Sequence, residues 1–211
     1  MNVSKIKNKA FIFFFLMLMG TWIHPVRAAV YEFTPNPSNI FDLDHYKYYT
    51  WGIRWKPAAN ETIKSATLTI KDINNWTPEN NDQLTIHLLD KAPKGLTVYT
   101  DDQGGGDNIL GLPGDKYLLD VYTDLFDAPV NGGQFVNAET YQYFFDILDL
   151  NKLNQFVQDG KFGFGFDPDC HYWNHGVTFT FQTGPNAPEP ATLILLSMGL
   201  IGMGVKRKFL A

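Results

Sequence analysis

From residue 46 to residue 181 apolar and polar side chains alternate with a period of two, and this rhythm constrains the fold more than any other feature of the chain. In Tyr49-Thr50-Trp51-Gly52-Ile53-Arg54-Trp55 the large apolar residues occupy the odd positions. Ala66, Leu68 and Ile70 alternate with Thr67, Thr69 and Lys71, while Leu84, Ile86 and Leu88 share a face opposite His87. Further runs at 96–100, 117–122, 141–147, 161–167 and 177–181 bring the expected strands to eight. Side chains of a strand point alternately to its two faces, so each run predicts one buried and one solvated face. Turn-forming residues separate most of the runs: Lys56-Pro57, Asn74-Asn75, Pro93-Lys94-Gly95, Gly104 to Gly106, Pro113-Gly114 and Asn131-Gly132-Gly133. One segment departs from the pattern. In 149–160, Leu150, Leu153, Phe156 and Val157 recur at helical spacing, with Asp149 placed to cap the start and Gly160 the end. Many strands without a βαβ rhythm predict an all-β, antiparallel two-sheet sandwich or jelly roll with one short helix across one end. On the run at 161–167, Phe162, Phe164 and Phe166 share one face and Gly163 and Gly165 the other. That second face is a lane without side chains, on which another loop of the same chain is expected to lie.

The two ends are unlike this middle. Lys5, Lys7 and Lys9 lead into an apolar run from Ala10 to Gly20, followed by Pro25 and by Val26 and Ala28 at −3 and −1 of a cleavage point. That layout predicts a secretory signal peptide over 1–28. Its apolar run is too short for a bilayer core of about 30 Å at ~1.5 Å per helical residue. At the other end, residues 184–211 hold a Pro-rich break, a hydrophobic helix expected over 191–205 and the basic cluster Lys206, Arg207 and Lys208. The basic cluster stays cytoplasmic by the positive-inside rule, so an exported middle lies beyond the inner membrane. That middle, 29–183, carries 10 basic and 21 acidic residues, a net of −11. Such acidity excludes a nucleic-acid binder, which needs a basic stripe against phosphate. A single cysteine, Cys170, excludes a disulfide framework.

Pro188-Glu189-Pro190, then a short apolar helix, then a basic cluster at the extreme end resembles the PEP-CTERM sorting signal of Gram-negative bacteria. The resemblance covers about 25 residues and implies recognition and cleavage of the tail by a membrane enzyme, an exosortase. It also implies export and association with the cell surface or an extracellular polymer matrix. The bland alternative is a plain C-terminal membrane anchor.

The middle offers two acidic constellations. In 165–175, Asp167, Asp169 and Asn174 present hard oxygens that suit calcium. His171 and His175 stand four apart, a spacing that ligates a transition metal on a helix, but Pro168 and Gly176 argue against a helix there. The other alternative is a strand connection whose Asp and Asn side chains cap their own turns. In 101–108, Asp101, Asp102 and Asp107 surround Gly104, Gly105 and Gly106. This stretch lacks EF-hand spacing, and it either wraps a calcium ion or is a solvated loop. Asp accounts for 17 of the 21 acids, a bias that a loop-rich sandwich also produces. Trp76, within INNWTPENN, and Trp173, within HYWNH, sit in polar contexts suited to stacking on sugar rings. Otherwise they fold back onto the rim of the sandwich. Cys170 is expected to be buried and inert.

No Gly-x-Ser-x-Gly elbow or phosphate-cradling glycine loop is present. Glycoside hydrolysis needs only two carboxylates about 5 to 10 Å apart, and no pair stands out among the acids. The expectation is a non-catalytic exported protein with no certain cofactor. The alternative is a carbohydrate-binding module with a structural calcium and an extracellular polysaccharide as partner.

Overall fold

The computed structural model of the chain describes residues 28–75, 82–101, 106–124 and 138–186. The expected signal peptide up to Arg27, the expected helix over 191–205, Pro188-Glu189-Pro190, Asp102 and Trp76 lie outside the described residues. Ten strands and one α-helix are described: β1 (Val30–Phe33), β2 (Lys47–Ile53), β3 (Glu61–Asn75), β4 (Gln83–Leu89), β5 (Gly95–Thr100), β6 (Lys116–Thr123), β7 (Glu139–Phe144), α1 (Ile147–Phe156), β8 (Phe162–Pro168), β9 (Tyr172–Trp173) and β10 (Gly176–Pro185). They form two sheets, both antiparallel. One has the order β1-β10-β3-β7 with β9 on β3, and the other the order β5-β2-β8-β4-β6.

The alternation of apolar residues explains how the sheets meet. Phe179 and Phe181 of β10, Leu68 and Ile70 of β3, Phe162, Phe164 and Phe166 of β8, and Leu84, Ile86 and Leu88 of β4 share one buried cluster. The rings of Phe164 and Phe179 cross between the sheets at 4.8 Å and 65°, the edge-to-face geometry favoured by aromatic quadrupoles. Each such side chain removed from water contributes roughly 1.5–3 kcal/mol.

All eight expected runs contain strands, but the run at 141–147 leaves its strand at Phe144 and Ile147 already begins α1. β1 and β9 are additional, and both are short: four residues with no fully buried face, and two residues beside the end of β3. Asn74-Asn75 is not a turn. Both residues end β3, paired with Trp173 and Tyr172, and both are buried. The helix also starts earlier than its apolar stripe. Asp146, not Asp149, is the N-cap, accepting from the N–H groups of Leu148 at 2.7 Å and Asp149 at 2.9 Å. The Asp149 carboxylate accepts in return from the Asp146 N–H at 3.0 Å, closing a capping box. Ile147 and Leu148 are exposed, so they add no apolar periodicity from which the first turn could be read. Gly160 ends the following 3-10 turn at φ 81°, where a side chain would be strained.

The expectation of one wet face fails for the central strands of the second sheet. All seven residues of β8 are buried, as are Thr50 and His87 on the outward positions of β2 and β4. A 3-10 turn, Asn108–Gly111, lies over Gly165, and Ala92 of the segment after β4 lies over Gly163, so other segments of the chain cover the glycine lane as expected. A Cβ on Gly165 would stand 2.9 Å from Ile109, closer than real Cβ atoms approach. Ile109 is fully buried and forms a small second core with Leu89 and Ala92 on this outer face.

Ile109→Ala is expected to lower the unfolding free energy by about 2–5 kcal/mol, the range for truncating a buried isoleucine. Urea denaturation measures it, and a loss below about 0.5 kcal/mol would show that the turn is not anchored through this side chain.

Candidate functional site

The turn over the glycine lane brings the two acidic constellations together. Asp101 follows β5, Asp107 caps the entrance to the 3-10 turn, and Asp167 and Asp169 lie at the end of β8. With His45, from the loop ahead of β2, they line one cleft of about 440 Å³. Backbone pairing fixes each wall. The Asp101 N–H donates to the Tyr46 carbonyl at 2.8 Å, and Asp169 exchanges bonds with Gln83, N–H to carbonyl at 3.0 Å and Gln83 N–H to Oδ1 at 2.5 Å.

Asp167 is the buried member of the set, 5% exposed. Its Oδ2 accepts from the Asn108 N–H at 2.6 Å, which ties the 3-10 turn to β8. Burial pushes its carboxyl up to about 6; the Asn108 N–H opposes the shift, and the negative charges of Asp101 and Asp107 add to it. Asp169 is raised for the same leading reason, with the Gln83 N–H opposing and Asp82 adding. Below the turn, His87 Nε2 and Asp107 Oδ2 stand 2.5 Å apart, with the His87 side chain 3% exposed. His87 Nδ1 and Asp107 Oδ1 are buried and meet no hydrogen-bond partner among the described residues. Four acids around one cleft, two with raised carboxyls, favour whatever brings positive charge or protons to it.

The other expected site residues go elsewhere. Asn174 is buried and committed to the chain, its Nδ2 donating to the Asn39 carbonyl at 2.9 Å and its Oδ1 accepting from the Gly176 N–H at 3.0 Å. Trp173 pairs with Asn74 in β9, is half-buried, and sets its ring edge-on to His171 at 5.8 Å. His171 and His175 part company. His175 Nδ1 sits 2.7 Å from Asp72 Oδ2 beside β3, whereas His171 approaches Asp44 and His45. Cys170 is buried, as expected. The adjacent pair Asp44-His45 was not singled out from the sequence. Two polar neighbours ahead of a strand carry no signal until the fold shows what they face.

At the end of β10 the Asn186 N–H still holds to the body, donating to the Asn60 carbonyl at 2.7 Å. Residues 186–208 match the model of the PEP-CTERM protein-sorting motif. The chain thus carries that sorting signal, as its tail implies, and the signal implies export, transient anchoring through the C-terminus and processing by an exosortase-type enzyme. A comparison with curated proteins returns no match. Among the described residues no helix is long and apolar enough to cross a membrane.

The raised Asp167 carboxyl has a defined consequence for stability. Between the ordinary 3.8 and about 6 the folded chain holds more protons than the unfolded one, so Asp167 withdraws stability as pH rises through that window. Asp167→Asn keeps an oxygen for the Asn108 N–H and has no charge to bury. It is expected to be more stable than the parent near pH 7, with the gain gone near pH 4. Urea midpoints at both pH values measure this. An equal change at both, or a loss near neutrality, would contradict it.

Proposed function

We propose that the chain is a non-catalytic body, carried across the inner membrane and released to the cell surface or an extracellular polymer matrix when its tail is removed. The observation that carries this reading is the position of the sorting motif. It begins at Asn186, one residue beyond the end of β10, so cleavage within the tail leaves both sheets intact. The other end of the body supports it. The Thr183 N–H donates to the Ala29 carbonyl at 2.8 Å, so a signal peptide cut after Ala28 would expose its new terminus beside the point where the tail departs. Both membrane-bound segments then attach at one pole.

The cleft supports a binding role over a catalytic one. Hydrolysis by two carboxylates needs environments that push one pKa up and leave the other low. Asp167 and Asp169 are shifted in the same direction, and of the acids lining the cleft Asp167 alone is buried. Convergence of Asp101, Asp107, Asp167 and Asp169 favours a second reading, a polysaccharide-binding module with a structural calcium in the cleft. The cleft lies where β8 hands over to β9 and β10, and the tail leaves from the far end of β10. Ten strand residues at ~3.4 Å each separate them by roughly 30 Å, so the cleft faces away from the membrane pole.

Replacing Pro188-Glu189-Pro190 by three alanines is expected to leave an uncut chain in the inner membrane, read by fractionation and immunoblot. Normal processing of that variant would overturn the sorting reading. For the second reading, calcium is expected to raise the melting temperature of the parent and to leave Asp167→Asn unmoved. A melting temperature indifferent to calcium and chelator removes the ion. Absence of binding to both acidic and neutral polysaccharides on a glycan array removes the carbohydrate.

A further inference from the structure

Asp44, His45 and His171 come from segments 126 residues apart, and backbone contact puts them side by side. The Tyr172 N–H donates to the Leu43 carbonyl at 3.3 Å, so residues 43–45 run next to 171–172. One ligand atom from each of the three lies within 4.8 Å of the others, and each residue is partly buried. We propose that these three side chains bind a divalent transition metal of the zinc class. This site goes beyond the sorting and calcium readings and depends on neither.

The donor chemistry selects the metal. Two imidazole nitrogens and one carboxylate oxygen suit zinc, copper or nickel, whereas calcium takes six to eight oxygens. Three protein ligands with an open fourth position is the composition of an accessible zinc site. The spacing is close to what coordination needs. The centre of a triangle with sides of 4.8 Å lies about 2.8 Å from each corner. Movements below about 1 Å therefore reach the ~2.0–2.2 Å of zinc bonds to nitrogen and oxygen.

Neighbours orient the donors. Lys47 Nζ holds Asp44 Oδ2 at 3.1 Å, while the Tyr46 N–H donates to Oδ1 at 3.1 Å. Oδ1 is the oxygen that faces His45 Nδ1, at 4.0 Å. The His45 ring packs on Tyr46 at 4.3 Å, and the His171 ring meets the Trp173 edge at 5.8 Å. His45 also lines the acidic cleft, whereas Asp44 and His171 do not.

The test is calorimetric titration of zinc into the full chain, purified in detergent and stripped with chelator, with cobalt spectra reporting coordination geometry. One zinc per chain is expected. His45→Ala and His171→Ala are each expected to weaken binding by at least the roughly 10–100-fold that loss of an outer partner costs. His175→Ala and Asp167→Asn should bind zinc as the parent does. Melting curves without metal establish that each variant is folded, and His45→Gln and His171→Gln replace any alanine variant that is not. Absence of saturable binding in the parent would overturn the proposal. So would unchanged affinity in both His45 and His171 variants, or an Asp167→Asn loss as large as that of His171→Ala.

Discussion

Phe179 is where the two sheets become one body. Its ring is fully buried and meets Phe164 at 4.8 Å, Phe181 at 5.4 Å, Phe145 at 5.8 Å and Phe162 at 6.1 Å. The strand that carries it, β10, pairs along its length with β3 and across its middle, Phe179 to Gln182, with β1. Because β10 is held between these neighbours, its two ends are fixed relative to everything else. One end begins beside the loop bearing Asp169 and His171. The other runs out at Pro185 into the sorting motif. The separation of cleft from tail is therefore a property of the hydrophobic core, not of the loops that form the cleft.

The cleft depends on a second packing event, on the outside of the sheet. Because Gly165 leaves β8 without a side chain on that face, Ile109 reaches the backbone and buries itself there, beside Ala92 over Gly163. The turn that carries Ile109 delivers the Asn108 N–H to Asp167 and Asp107 to His87. Burial that stabilises the turn thus also places a carboxylate where ionisation is costly. The same anchoring contact places one wall of the cleft and accompanies the burial of Asp167.

Most of the fold was legible because burial here follows a period of two. Tyr49, Trp51 and Ile53, or Phe162, Phe164 and Phe166, alternate so regularly that their strands and faces could be read directly. The glycine lane and its covering loop were legible for the same reason. Asn74-Asn75 misled, because Asn favours turns locally and here a tertiary partner, β9, holds both residues in a strand. β1 could not be read: Val-Tyr-Glu-Phe is an edge strand that takes its order from β10. Asp101, Asp107, Asp167 and Asp169 could be suspected singly, but not as one cleft, since only the folded turn brings their segments together. Asp44 and His45 were silent, because their significance comes from His171, far away in sequence.

Mass spectrometry of both ends of the protein recovered from the cells that make it tests the central claim most directly. The export-and-sorting reading predicts a body outside the cytoplasm that begins at Ala29 and lacks Lys206, Arg207 and Lys208. A soluble cytoplasmic chain that retains both Met1 and Ala211 would contradict it.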